Sequence, residues 1–441
     1  MLNKKSEAYY RYKAEQARGV FPYFETDDIE QIVYDLLDDN CPLEALDVLD
    51  QGLKQHPDNE SLTKLKVLIL IHFQRLEEAR ELFAKYESDG TDSTETLIFA
   101  FDVVTGKSRS ALRRMLTKLR HKQIASVDYI NLIDEMWSEI PDDVKIQYLS
   151  SAIDLISDSS EALARIGAMM MDLKHHEMAI PSLEKALDID AYDIYTWQDL
   201  TRCAFELQDY DKCEEACDFG IAIDPNNPLF HFVRGFILLS QKFDFKAALE
   251  SLIICKKVFE GELKHEDIAI PANEREAQIS MTYDMLAQCY NNLDDIDNSI
   301  ACYEKLVKRM PDHHEAMFEL TRQYLDKGDF PKGLEMVNKA IKLNPRNTAY
   351  LSLKASILAS MHCFEEAMET LDRLIKIKPG SKNFVLAKAE LALGTHNYDV
   401  ADKEFRKLLS MKPKEQTTKT LLKEYFLSIG DTDALKEIDE L

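Results

Sequence analysis

Three histidines are followed directly by glutamate, at His176-Glu177, His265-Glu266 and His314-Glu315. This is the opening of His-Glu-x-x-His, in which two imidazoles one helical turn apart hold zinc and the glutamate acts as a base. The second imidazole is missing each time, because Ile180, Ala269 and Phe318 stand there. Cys213 and Cys217 lie four residues apart, with Cys203 ten residues before them. A thiol metal site is conceivable from that spacing, but no Cys-x-x-Cys pair appears, and the packing reading, cysteine as a small apolar residue, is favoured. The eight cysteines form no paired framework, which fits a reducing compartment. A Gly-rich phosphate loop and a Gly-x-Ser-x-Gly elbow are absent, and no carboxylate pair stands out among 79 acidic residues. The sequence is therefore read as non-catalytic, with no metal site and no cofactor.

The elements that would position any site follow a fixed period. Pro311, Pro345, Pro379 and Pro413 recur at a constant interval of thirty-four positions, and each closes a run with the apolar spacing of a helix. Proline lacks an amide hydrogen and ends a helix, so these positions mark the stops of successive second helices. A unit of two short helices cannot bury its apolar faces alone, and must stack on its neighbours. Composition agrees with such an array. A formal charge of −25 argues against nucleic-acid partners, which need a basic footprint. No apolar stretch approaches the ~20 residues that span a bilayer, and residues 1–25 hold no signal-like segment. The expectation is a protein of the cytoplasm with no membrane partner.

Within the period, Tyr283, Leu286, Ala287 and Tyr290 occupy one helix, Tyr303 and Leu306 the next, and Pro311 ends it. Trp197, Leu200, Tyr210 and Pro225 recur in register, as do Ile166, Gly167, Ala179, Leu183 and Ala186. Leu320, Tyr324, Gly328, Ala340 and Pro345 mark another unit, and Ala401, Phe405 and Pro413 a fourth. The pattern resembles the tetratricopeptide repeat. It departs from it where Cys213 and Cys217 replace an alanine and an aromatic, and where Gly333 replaces an alanine. The resemblance implies an all-α, right-handed superhelical solenoid of tandem antiparallel helix pairs. It further implies a protein or peptide partner held along the concave face of the first helices.

The register assigns residues 1–25 to an aromatic and basic capping segment and 26–159 to degenerate repeats. Regular repeats follow at 160–259 and 278–415, an insertion at 260–277, and a capping half-repeat at 416–441. Pro225 and Pro311 are separated by two periods plus eighteen, and Pro57 and Pro225 by two short of five periods. Aromatic residues between Tyr9 and Phe24 predict a helix over the first unit or a tail lying in the groove. A basic run from Lys107 to Lys122 carries the stripe Leu112, Met115, Leu116 and Leu119, and its charged face is either solvated or paired with the acidic stretch 25–60.

Helical geometry points side chains at intervals of 3, 4 and 3 into the groove. This gives the rungs Tyr195, Gln198, Arg202 and Phe205, then Leu229, Phe232, Phe236 and Leu239. Met281, Asp284, Gln288 and Asn291 follow, then Glu315, Phe318, Arg322 and Leu325, and a thin rung of Ser352 and Ser356. Of these, Tyr195, Gln198, Arg202, Phe232, Phe236, Asp284, Gln288, Asn291, Phe318 and Arg322 are the expected peptide-binding residues. An aromatic patch flanked by Arg202 and Arg322 predicts a ligand with bulky apolar anchors and a carboxylate, unless Phe205 and Phe236 pack onto neighbouring units instead. The Lys and Asn of the family's chaperone-tail clamp are replaced here mainly by Gln, Phe, Arg and Ser. The expected function is an interaction scaffold or adaptor, with a peptide-responsive sensor or a subunit of an enzyme complex as the other readings. Nothing in the sequence marks the oligomeric state.

Overall fold

The computed structural model describes residues 5–57, 59–84, 92–264 and 272–440. Two compact units divide the chain, Met1–Asp209 and Tyr210–Leu441. The first contains α1 (Glu7–Gln16), α2 (Thr26–Asp38), α3 (Pro42–Gln55), α4 (Glu60–His72), α5 (Leu76–Phe83) and α6 (Asp92–Asp102). It continues through α7 (Ser108–Arg120), α8 (Ser126–Glu135), α9 (Asp142–Ile153), α10 (Ser160–Asp172), α11 (His176–Ile189) and α12 (Ile194–Glu206). The second begins with α13 (Tyr210–Ile223), α14 (Pro228–Ser240), α15 (Phe245–Phe259), α16 (Ala272–Asn292), α17 (Ile296–Arg309), α18 (His314–Asp326) and α19 (Phe330–Leu343). It ends with α20 (Thr348–Ser360), α21 (Phe364–Ile377), α22 (Lys382–Gly394), α23 (Tyr398–Ser410), α24 (Gln416–Ile429) and α25 (Thr432–Glu440). No strand occurs among the described residues. Each unit is a stack of antiparallel helix pairs, and the fold is an all-α repeat solenoid.

The turn inside each pair explains the regularity. Inside most pairs the chain enters the left-handed region at an equivalent position, at Asp294, Gly328, His362, His396 and Gly430, and at Asn40, Gln74, Lys174 and Gln208 in the first unit, whereas the α8–α9 turn has no such residue. Two hydrogen bonds close each turn: Gly328 N donates to Leu325 O at 2.9 Å and Asp329 N to Tyr324 O at 2.7 Å, and His362 N and Cys363 N repeat the pattern. The last carbonyls of the first helix are thereby satisfied while the chain reverses. The next residue starts the second helix, as where Asp329 accepts from Lys332 N and Asp431 from Ala434 N. Between pairs, α17, α19 and α21 end two residues before Pro311, Pro345 and Pro379. Asn227 and Asn347 then cap the first helices that follow.

Packing repeats with the turns. Gly235 on α14 lets α15 approach so closely that a Cβ there would lie 2.6 Å from Leu252 Cγ. Leu252 and Cys255 of α15, Tyr283, Leu286 and Cys289 of α16, and Tyr303 and Leu306 of α17 share one buried cluster. At the C-terminal end, Phe405 stacks on Tyr425 with ring centroids 4.2 Å apart. Residues 416–440 form a full helix pair whose second member is shortened to 9 residues, not half of one.

The register irregularities also resolve. The first helices α6, α8 and α10 begin one full period apart, whereas α4 begins two residues short of a period before α6, so the shortfall lies between α4 and α6. The turn between α14 and α15 is one residue longer than its equivalents and has Phe243 at its left-handed position, just before the cap Asp244. α16 is 21 residues long, so part of the surplus near 260–277 lengthens that helix at its N-terminus. The centre of the expected insertion, 265–271, lies outside the described residues, as does His265.

The N-terminal segment forms α1 and packs on α2 and α3 instead of lying in a groove. Tyr12 and Phe24 are buried, Tyr12 donates to Glu44 at 3.0 Å, and Lys13 pairs with the same carboxylate. The basic face of α7 pairs with Asp102, Glu95 and Asp143, through Arg114, Lys118 and Arg109, instead of with stretch 25–60. Carboxylates on the adjoining helices α6 and α9 reach it first.

Replacing Gly328 by alanine should cost about 1 kcal/mol, because an L-residue there pays the left-handed penalty that His362 already pays. Gly235→Val should cost about 1–3 kcal/mol through overpacking against Leu252. Urea unfolding followed by circular dichroism measures both.

Candidate functional site

In the second unit, first helices α14 and α16 do not pack flush. Between them opens a cleft of about 580 Å³, closed at one end by the loop that leads into α18. Phe232, Phe236 and Leu239 of α14 make one wall, and Ser280, Met281, Asp284 and Gln288 of α16 the other. Phe243, Phe245, Met310 and His313 complete the rim. Met281 is 55% exposed and Phe243 68%, so the apolar surface is open to a ligand and not sealed into the core.

The charge in the cleft is confined to two residues. Asp284 and His313 are the titratable lining residues, and Asp284 is half-buried. Burial raises its carboxyl above the ordinary aspartate value, while a 2.8 Å hydrogen bond donated by Gln288 Nε2 and the nearby His313 pull it part of the way back. His313 is committed through Nδ1, which accepts from Ala316 N at 3.1 Å and caps α18. A single carboxylate in an apolar cleft is suited to holding a ligand group by charge and burial.

Four expected residues meet in this cleft, namely Phe232, Phe236, Asp284 and Gln288. Phe236 does both things weighed for it, packing on the core cluster and lining the cleft. The others lie elsewhere. Asn291 accepts from Gln323 Nε2 at 2.9 Å, tying α16 to α18. Phe318 lies against Tyr350, 5.1 Å between centroids. Arg322 is exposed beside Glu319 at 3.2 Å, and Arg202 beside Asp199 at 3.4 Å. Neither arginine lines the cleft, and Tyr195, Gln198 and Arg202 belong to the first unit. Phe243, Phe245, Met310 and His313 were not expected. Their one signal in the sequence is the extra residue in the α14–α15 turn, which carries Phe243 to the rim.

Comparison with known families agrees with the helix pairs. Models described as tetratricopeptide repeat match residues 31–93 and 160–193, and one described as anaphase-promoting complex, cyclosome, subunit 3 matches 292–374. This is a tetratricopeptide-repeat protein. The repeat protein is similar to tetratricopeptide repeat-containing protein trd-1 of Caenorhabditis elegans, 26% identical over 161 residues that cover 34% of this chain and 20% of that one. It is also similar to stress-induced-phosphoprotein 1 of the same organism, 21% identical over 189 residues, 38% of this chain and 58% of that one. The chain thus spans one fifth and somewhat over half of the length of these relatives. Among solved structures, YrrB, described as a repeat protein with an unusual peptide-binding site, aligns with 47% of this chain and 97% of its own at 14% identity and a TM-score of 0.39. The C-terminal part of a repeat protein from Cytophaga hutchinsonii aligns with 58% and 97% at 15% identity and a TM-score of 0.45.

The other chemical candidates in the repeat protein are structural. His176 lies 4.0 Å from Cys203 Sγ, and His314 Nδ1 is 2.8 Å from the Tyr350 hydroxyl, so both imidazoles sit in packing contacts. Cys203, Cys213 and Cys217 are buried. No group of three or more metal-ligand side chains occurs among the described residues, and no described helix is long and apolar enough to cross a membrane. Burial pushes the thiols of Cys203, Cys255 and Cys289 up to about 12 and that of Cys302 to about 11. Iodoacetamide at mildly alkaline pH should therefore label the half-buried Cys41 and Cys363 first. The four shifted thiols should react only after denaturation, as peptide mass mapping would record.

Proposed function

We propose that this protein is a non-catalytic interaction scaffold whose cleft between α14 and α16 seats a segment of a partner protein. Its ligand carries a bulky apolar side chain next to a basic group. The supporting observation is the pairing of an open aromatic and methionine wall with one half-buried carboxylate, Asp284, whose desolvation a ligand cation would compensate. Family membership supports the general role, since stacked helix pairs offer extended surfaces and not reaction cavities. This reading replaces the ligand carboxylate expected from Arg202 and Arg322 with a ligand cation, because the charge lining the cleft is negative.

The pH dependence follows from the same carboxyl. Its value is raised, so a cation-binding charge present at neutral pH is lost as the pH falls through a range above that of an ordinary aspartate.

Short peptides with a central Phe beside Lys, and the same peptides with Gln for Lys, test the proposal by calorimetry. Phe232→Ala should weaken binding of the Lys peptide by about 2 kcal/mol, roughly 30-fold, as loss of a central aromatic anchor does. Asp284→Asn should remove most of the preference for Lys over Gln and flatten the acid limb of the affinity profile, without lowering the melting temperature of the free protein. Equal affinity of wild type for both peptides, unaltered by either substitution, would sink the proposal.

A further inference from the structure

A second cleft in the same unit has the opposite charge. It lies between the second helices α17 and α19, with α18 as its floor, and measures about 540 Å³. Val307, Met317, Leu320, Met336 and Leu343 give it an apolar lining, and Lys308, Lys339 and Lys342 stand around it. The one carboxylate there, Glu304, is occupied as the acceptor of the Tyr324 hydroxyl at 2.5 Å. Lys339 pairs with Glu335 on its own helix at 2.7 Å, and no carboxylate lies within ion-pair distance of Lys308 or Lys342 among the described residues.

The lysines follow the repeat. Lys305, Lys339 and Arg373 occupy equivalent positions in successive periods, and so do Lys308, Lys342 and Lys376. The second helices α17, α19 and α21 therefore carry a two-column basic ladder, in a chain whose net charge is −25. Lysine in the last turn of a helix also complements the helix dipole, which accounts for Lys308 and Lys342 in part. It does not account for Lys339, one turn earlier, or for the apolar cleft that the lysines surround.

We propose that this second-helix face is a docking surface for an acidic partner segment. The segment lies across α17, α19 and α21, with its carboxylates on the lysine ladder and one bulky apolar side chain in the cleft over α18. Charge complementarity selects the occupant. A nucleic acid would meet the same lysines, but its unbroken polyanionic backbone is repelled by the rest of an acidic molecule and has no aliphatic group for the apolar floor. The surface is separate from the α14–α16 cleft, so either can fail without the other.

The probe is a short fluorescein-labelled peptide of Glu and Asp with a central Leu-Phe pair, read by anisotropy at low and moderate salt. An all-Gln counterpart and a labelled oligothymidine are the comparisons. The expected result is binding of the acidic peptide that weakens with salt, falls at least tenfold in the double variant Lys308→Glu and Lys342→Glu, and is unmoved by Phe232→Ala. Met336→Ala should weaken it independently of salt, and circular dichroism of each variant keeps a folding defect apart from a binding one. Lower stability of the double variant with unchanged peptide affinity would assign the lysines to helix capping and overturn the proposal. Tighter binding of oligothymidine would overturn it in favour of nucleic acid. Self-association of the wild type that the double variant loses would overturn it too, giving the surface to a second copy of the chain. No detectable peptide binding at low salt would also count against it.

Discussion

The arrangement of this protein depends on one backbone event, a single residue placed in the left-handed region between the two helices of nearly every pair, α8–α9 being the exception. That residue turns the chain while two amide donors return to the last carbonyls of the first helix, so the reversal leaves few polar groups unpaired. Only Gly328 and Gly430 adopt it without a side-chain penalty among the five regular turns of the second unit; Asp294, His362 and His396 accept the strain. Packing between helices must exceed that penalty in the pairs that carry it. Close contacts such as Gly235 against Leu252 show how the apolar layers do so.

Much of this was legible in the sequence, for a physical reason. Proline stops and helical apolar spacing are local properties, so a fixed period exposes them without knowledge of tertiary contacts. The same spacing led to Phe232, Phe236, Asp284 and Gln288, which do share a cleft. It failed for Asn291 and Phe318, whose partners Gln323 and Tyr350 lie one pair further on, since periodicity gives the face of a helix and not what covers it. Turn and cap positions such as Phe243 and His313 recur along the chain, but their residue types do not, as His313 and its equivalent Asn347 show. Their place at the rim depends on turn length and on which helices lie opposite, and apolar spacing within a helix reports neither.

Charge is sorted between the two helix layers of the second unit. The cleft of the first helices holds Asp284, and that of the second helices is ringed by lysine, though both have apolar floors. Net charge alone would have described one uniformly acidic surface. The repeat produces local polarity because equivalent positions in successive pairs lie side by side, so one residue choice, made three times, becomes a stripe.

The longer turn before Asp244 has a consequence for how such chains diversify. One added residue shifts the numbering of everything after it, yet Phe243 stands exposed at the bend and the turns from Asp294 onward keep the regular interval. In a globular core the same insertion would disturb contacts among segments distant in the chain. Here each pair touches little beyond its neighbours, so a length change stays where it arose. A repeat array can accordingly revise a ligand-facing edge by small insertions in its bends while its interior stays unaltered.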